Sequence, residues 1–185
     1  MSDGLPVASD VHTIIFDFDG VFTDNKVWVD QNGREWVRCD RADGLAIDLL
    51  RTACRRGLLE ADVFILSTET NPVVRERAAK LRLTCHQGVL DKLAFVEECL
   101  ATRFPDSVDP FSGVVFLGND LNDLPLLRRV GWAVVPADAH PRVRAAVGVV
   151  FPERGGESFV RRFVERMLGI DDMAEEEINE YLSDR

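Results

Sequence analysis

The sequence reads as an α/β chain, doubly wound around a mostly parallel sheet, with a β-hairpin inserted after the first strand. Short apolar runs of strand character alternate with helical stretches along most of the 185 residues, which is the pattern of βα units and a parallel sheet. The runs at residues 14–16, 63–66 and 114–117 have the composition of buried strands. Each strand-to-helix junction on the carboxyl side carries polar residues, where open α/β sheets bind their ligands.

Residues 1–10 are polar, with Gly4 and Pro6, and predict a loose arm. Residues 11–17 form the first strand. Residues 26–38 hold two short alternating runs around Asn32-Gly33, a strong hairpin signal, with Trp28 and Trp36 able to share one face. A helix opens at Asp43-Gly44 and runs toward Arg56, with Leu45, Leu49 and Leu50 on one side. Residues 62–67 are the second core strand, ending in Ser67-Thr68-Glu69-Thr70-Asn71. Residues 72–81 are helical, with Asn71 as N-cap and Pro72 in the first turn. A short strand at 83–86 precedes an amphipathic helix over 93–103 and a loop over 105–112. The strand at 114–117 ends in Gly118-Asn119-Asp120-Leu121-Asn122-Asp123. A short helix (124–130), a short strand (132–135), a short helix (141–146), a last strand (147–151) and a closing helix (157–168) complete the order. One domain over 1–170 and an acidic tail over 171–185 are expected.

The 22 Lys and Arg against 32 Asp and Glu give a formal charge of -10. That balance argues against a general nucleic-acid or membrane surface. The four cysteines, Cys39, Cys54, Cys85 and Cys99, show no Cys-x-x-Cys spacing and read as reduced. The first residues lack signal-peptide character and no apolar run is long enough to span a bilayer, so a cytoplasmic location is expected.

The chemistry starts at Ile14-Ile15-Phe16-Asp17-Phe18-Asp19-Gly20-Val21-Phe22-Thr23-Asp24. A buried strand does not explain two carboxylates where the strand stops. On an extended backbone Asp17 and Asp19 would converge on one hard cation through oxygen ligands. These residues resemble the first motif of the haloacid dehalogenase (HAD) superfamily. The resemblance implies a HAD-like Rossmannoid fold, with Asp17 as nucleophile and Asp19 as general acid and base. It also implies Mg²⁺ held by the Asp17 carboxylate and the Asp19 carbonyl. A carboxylate is a competent nucleophile, and a divalent cation would remove its repulsion from a phosphate.

The resemblance extends to the other junctions. Ser67, ending a strand before a helix start, would bind a phosphate oxygen. Lys92, at a helix start where a cation is unfavourable with the dipole, invites an anion as partner; in the superfamily it fixes the nucleophile and the phosphate. In the 119–123 cluster the superfamily has Gly-Asp followed by a second acid. Here the metal position by register is Asn119, with Asp120 beside it and Asp123 as the second acid, and all three are candidate metal residues. Either Asn119 is a neutral ligand or Asp120 takes over; register favours Asn119, and weaker metal affinity is expected with it.

Further wording narrows the group: Gly20-Val21-Phe22-Thr23-Asp24 runs into the tryptophan hairpin, and Arg41-Ala42-Asp43-Gly44, Gln87-Gly88, Asp91-Lys92 and Gly155-Gly156 follow. This resembles the small capless HAD phosphatases of the 3-deoxy-D-manno-octulosonate 8-phosphate and nonulosonate 9-phosphate type, and the HAD domain joined to acylneuraminate cytidylyltransferases. The resemblance implies a phosphorylated sugar-acid substrate and a homotetramer assembled through the hairpin. Asp40 and Gly44 would meet the sugar end, and Arg77 and Lys92 the phosphate or carboxylate. Two arginines of the octulosonate pattern are absent, at Glu69 and Glu157. An alternative is a weakly active tetramerisation module of the cytidylyltransferase-associated kind.

Overall fold

The structure is a computed structural model that describes residues 4–183. The first strand, β1 (Thr13–Phe16), is buried at every position. β2 (Thr23–Val29) and β3 (Glu35–Cys39) pair with each other in a separate antiparallel ribbon. The chain then alternates through α1 (Ala42–Arg55), β4 (Asp62–Leu66), α2 (Pro72–Leu81), β5 (Thr84–His86), α3 (Lys92–Arg103), β6 (Val114–Leu117) and α4 (Leu124–Leu127). It finishes with β7 (Trp132–Val135), α5 (Pro141–Arg144), β8 (Val149–Val150), α6 (Phe159–Leu168) and α7 (Glu175–Ser183).

The main sheet has six strands in the order β5-β4-β1-β6-β7-β8, and every pairing in it is parallel. From β1 the chain winds outward through β4 and β5, then crosses back to β6 and winds the other way. The reversal lies between β1 and β6, and the crevice beyond their carboxyl ends is where such sheets bind ligands. Register makes those ends level: Phe16 is opposite both Ile65 and Leu117. The next residues of three strands therefore emerge together.

Period-2 alternation sends successive side chains to opposite faces. Ile14, Phe16, Ile65, Val115 and Leu117 pack with α1, α2 and α6 on one face. Ile15, Leu66, Val114 and Phe116 pack with α3, α4 and α5 on the other. α6 buries Phe159, Val160, Phe163, Val164 and Met167, a helical stripe that also covers Phe16 and Phe151.

Three details differ from the sequence reading. The hairpin turn is not a two-residue Asn-Gly turn. Asp30 pairs with Arg34, its carbonyl accepts from Gly33 N–H, and Gly33 has φ 75°. Asp30 Oδ1 also accepts from the Asn32 and Arg34 amides, so the aspartate selects a longer loop with a bulge. The acidic tail carries α7, whose Tyr181 is buried with the Arg56 guanidinium 4.7 Å over its ring. The expected arm lies partly outside the described residues; Ala8–Asp10 makes a 3-10 turn. Trp28 and Trp36 are direct cross-strand partners, so they do share a face.

Candidate active site

Asp17 follows β1, Ser67 follows β4, and Gly118-Asn119 follows β6. Asp17, Asp19, Ser67, Asn119 and Asp120 line one cavity of about 130 Å³, together with Asn25, Thr68 and Asn122. Larger hollows lie elsewhere. One of about 760 Å³ is bounded by Leu5 to Ser9 and the end of α6, and one of about 650 Å³ lies between β4, β5 and α3. Neither gathers a comparable set of oxygen donors, so chemistry rather than volume picks the small one.

Lys92 lies beneath the cavity. Its Nζ is 2.8 Å from Asp17 Oδ1 and 2.7 Å from Asp123 Oδ1, with all three side chains almost wholly out of water. Asp17 Oδ1 also accepts from the Phe18 amide at 2.8 Å. Both protein donors therefore sit on Oδ1, and among the described residues Oδ2 takes none. A carboxylate clamped through one oxygen presents the other to the cavity. The start of α3 is capped by Asp91, which accepts from Ala94 N–H, and this fixes Lys92 in the first turn.

Two buried carboxylates around one ammonium leave an excess negative charge. Burial, and next the charge of Asp123, push the Asp17 carboxyl up to about 8 against the pull of Lys92. Burial alone would lower the Lys92 ammonium; the two carboxylates outweigh it and raise it. Asp19 is also raised, first by burial and then by Glu69 nearby, with the Thr23 hydrogen bond opposing. That negative charge would be relieved by a cation beside the Asp17 carboxylate. The donor set fits a hard cation, since Asp17, Asn119 and Asp120 offer oxygens on the cavity wall. Among the described residues no three His, Cys, Asp or Glu side chains gather as a metal set.

Gly20 explains how Asn119 enters. A Cβ at Gly20 would lie 1.9 Å from Asn119 Nδ2, and Gly20 has φ 78°, so only glycine fits there. Thr23 was not singled out by its residue type. Its Oγ1 accepts from the Gly20 and Asn25 amides and donates to Asp19 Oδ1 at 3.4 Å. A threonine following Asp-Gly by a few residues was the available signal.

Asp123 was expected among the metal ligands. The structure corrects this: its Oδ1 takes Lys92, its Oδ2 takes the Asn119 amide at 2.8 Å and the Asp120 amide at 3.2 Å, and it does not line the cavity. It holds Lys92 and the Asn119 turn in place. Ser67 is buried, and its Oγ accepts from the Glu69 amide, which orders the loop carrying Glu69. Asp40, Gly44 and Arg77 do not line the cavity either. Gly44 and Arg77 bound a separate hollow of about 270 Å³ with Arg41, Arg51 and Lys80. Asp40 accepts from Ala42 N–H and Ser158 Oγ, and its carbonyl accepts from Arg77.

No family model matches the chain. Among curated proteins, it is 31% identical over 174 residues to the 3-deoxy-D-manno-octulosonate 8-phosphate phosphatase KdsC of Yersinia pestis, covering 94% of this chain and 88% of the relative. The chain belongs to the KdsC-type phosphatases of the HAD superfamily. It is thus a hydrolase of phosphoric monoesters. Solved structures agree with that family. A crystal structure from Streptomyces avermitilis MA-4680, assigned to the HAD hydrolases, superposes with a TM-score of 0.81 at 37% identity over 95% of this chain and 97% of that one. The cobalt-bound deoxy-D-mannose-octulosonate 8-phosphate phosphatase of Haemophilus influenzae superposes with a TM-score of 0.74 at 26% identity, covering 89% and 91% of the two chains. For a KdsC-type phosphatase, the cavity at β1, β4 and β6 is the candidate phosphate site.

Proposed function

We propose that the protein is a Mg²⁺-dependent phosphomonoesterase that works through a phosphorylated Asp17 on a phosphorylated sugar acid, of the octulosonate 8-phosphate or nonulosonate 9-phosphate type. The observation that carries the mechanism is the asymmetry at Asp17: Oδ1 is held by Lys92 and the Phe18 amide, and Oδ2 is left for phosphorus. Oδ2 attacks, the bond from phosphorus to the sugar oxygen breaks, and Asp19 gives its proton to that oxygen. Water then attacks phosphorus, Asp19 takes a proton back, and phosphate leaves with Asp17 restored. The upward shift of the Asp19 carboxyl, caused first by burial, favours the acid form that the first step uses. Ser67 and Lys92 hold phosphate oxygens and the nucleophile.

Asp17, Asn119 and the Asp19 carbonyl would hold the cation, with Asp120 as contributor. When bound, Mg²⁺ would screen the carboxylate from the phosphate and stabilise charge on the transferring oxygens. The cobalt in the Haemophilus relative supports a divalent ion here.

The sugar-acid substrate rests on the names of the relatives and is the finer part of the proposal. The hairpin supports a capless homotetramer: Trp28 and Trp36 pair on one face and are 52% and 59% exposed, an area that favours a partner surface. The four cysteines are all free thiols, in keeping with the cytoplasm. Among the described residues no helix is long and apolar enough to cross a membrane.

The test is phosphate release from a panel holding octulosonate 8-phosphate, nonulosonate 9-phosphates, hexose phosphates and pentose phosphates. A kcat/KM for one of the sugar acids well above the neutral sugars is expected. Equal or lower values for the sugar acids would remove that substrate class.

A further inference from the structure

The turn Arg154 to Ser158 lies across the loop that carries Asp19. Gly156 N–H donates to the Val21 carbonyl at 3.0 Å. A Cβ at Gly155 would lie 2.0 Å from the Gly20 carbonyl oxygen, and one at Gly156 would lie 2.5 Å from the Asp24 nitrogen. The two backbones touch with no side chain between them, so a shift in this strap must move residues 20–24. The same residues hold Thr23, whose hydroxyl donates to Asp19.

What holds the strap is a helix cap borrowed from α1, which frees the Ser158 hydroxyl. Ser158 stands at the N-cap of α6, where a serine hydroxyl ordinarily accepts from its own helix. It does not do so here. Asp43 of α1 accepts from the Arg161 amide in its place, at 3.2 Å. The freed Ser158 hydroxyl donates to Asp40 Oδ2 at 2.7 Å, across 118 residues of sequence. Ser158 has φ 64°, a conformation that favours glycine, so a non-glycine residue there calls for a compensating contact. Its side chain makes that contact with the base of the hairpin. Arg38 of β3 adds an exposed bridge between Asp24 and Glu157, weak by its exposure.

We propose that Ser158 is a positioning residue for the Asp19 loop: its bond to Asp40 ties the Arg154 to Ser158 strap down onto Gly20 to Asp24, and so sets the aim of the Asp19 carboxyl at the leaving oxygen. This rests on Asp19 being the general acid. Ser158 touches no substrate and acts through the strap. A displaced acid harms substrates with poor leaving groups most, because an alkoxide must be protonated as it departs and a nitrophenolate need not be.

The experiment compares Ser158→Gly with Ser158→Ala, using octulosonate 8-phosphate and 4-nitrophenyl phosphate. The glycine variant removes the whole hydroxymethyl group and suits the φ of 64°, while the alanine variant removes only the hydroxyl. For both variants, kcat/KM, which reports the steps through departure of the leaving group, is expected to fall ~10-fold on the alkyl phosphate and less than ~2-fold on 4-nitrophenyl phosphate. Amide hydrogen exchange at residues 20–25 and 156 is expected to speed up while the amides of α1 and α6 stay protected. Asp19→Asn serves as the reference and should show the same leaving-group bias more strongly. Bias in Asp19→Asn with none in the Ser158 variants overturns the Ser158 inference alone. No bias in Asp19→Asn overturns the reading of Asp19 itself. Unchanged exchange over 20–25 in Ser158→Gly overturns the strap, whatever the substrate turns out to be.

Discussion

Lys92 Nζ stands 2.8 Å from Asp17 Oδ1, with both side chains almost fully removed from water. Removing one partner of a buried ion pair typically costs ~3–5 kcal/mol, because the other charge is left unpaired. Here Asp123 shares the ammonium, so Lys92→Met leaves two carboxylates facing each other. We expect that variant to lose stability by about that amount at pH 7.5 and by less at pH 5, where one carboxyl takes a proton. Urea melts at the two pH values check this. Phosphate release should fall by ~10²-fold or more, since the clamp on Oδ1 is gone.

In the proposed cation site Asn119 would supply an amide where a carboxylate would add charge. Asn119→Asp is expected to lower the Mg²⁺ concentration for half-maximal activity by ~10-fold, the size of one charged ligand in a partly exposed site. A Mg²⁺ titration of phosphate release reads it directly.

Asp43 is the buried acceptor at the start of α6, and its Oδ2 has no hydrogen-bond partner. Burial, and then the charge of Asp40, raise its carboxyl to about 7. A raised folded-state pKa on an acid means that the charged form is disfavoured by folding. The penalty is absent below the unfolded value, grows as pH rises from about 4 to about 7, and is constant above. Asp43→Asn keeps an acceptor for the Arg161 amide and removes the charge. Its stability relative to the natural chain should therefore increase from pH 5 to pH 8, by ~1–3 kcal/mol. Thermal melts across that range check the sign.

An isolated two-stranded ribbon is marginal in water, yet Val27, Trp28, Val29 and Trp36 are all more than half exposed. For the proposed homotetramer, replacing both tryptophans, as Trp28→Arg with Trp36→Arg, should leave monomers by light scattering. The main-sheet fold should persist, because β2 and β3 pair only with each other.

The sheet was legible because its strands are continuous apolar runs and because helix starts such as Asn71-Pro72 carry their caps in sequence; Asn71 does accept from Val73 N–H. That Asp17, Asp19, Ser67 and Asn119 would share one cavity was legible for the same reason: each lies just past a strand whose end is visible as a change from apolar to polar. The partners of Asp123 were not legible. Nothing in Gly-Asn-Asp-Leu-Asn-Asp says that the last acid turns inward to Lys92, which depends on where α3 docks. Residues reached only through tertiary packing were harder still. Arg77 and Gly44 sit on helices whose faces are set by α1 and α2 packing, and they open on a different hollow from Asp17. The cap that α6 borrows from Asp43 joins segments far apart in sequence, and local propensity alone would have placed the serine on its own helix.

The measurement that bears most directly on the account is phosphate release from octulosonate 8-phosphate and 4-nitrophenyl phosphate, with and without Mg²⁺, for the natural chain beside Asp17→Asn. Release is expected to require Mg²⁺ and to be abolished in the variant, with the variant folded and of unchanged assembly. Release that persists in Asp17→Asn, or that is indifferent to Mg²⁺, would contradict the proposed mechanism.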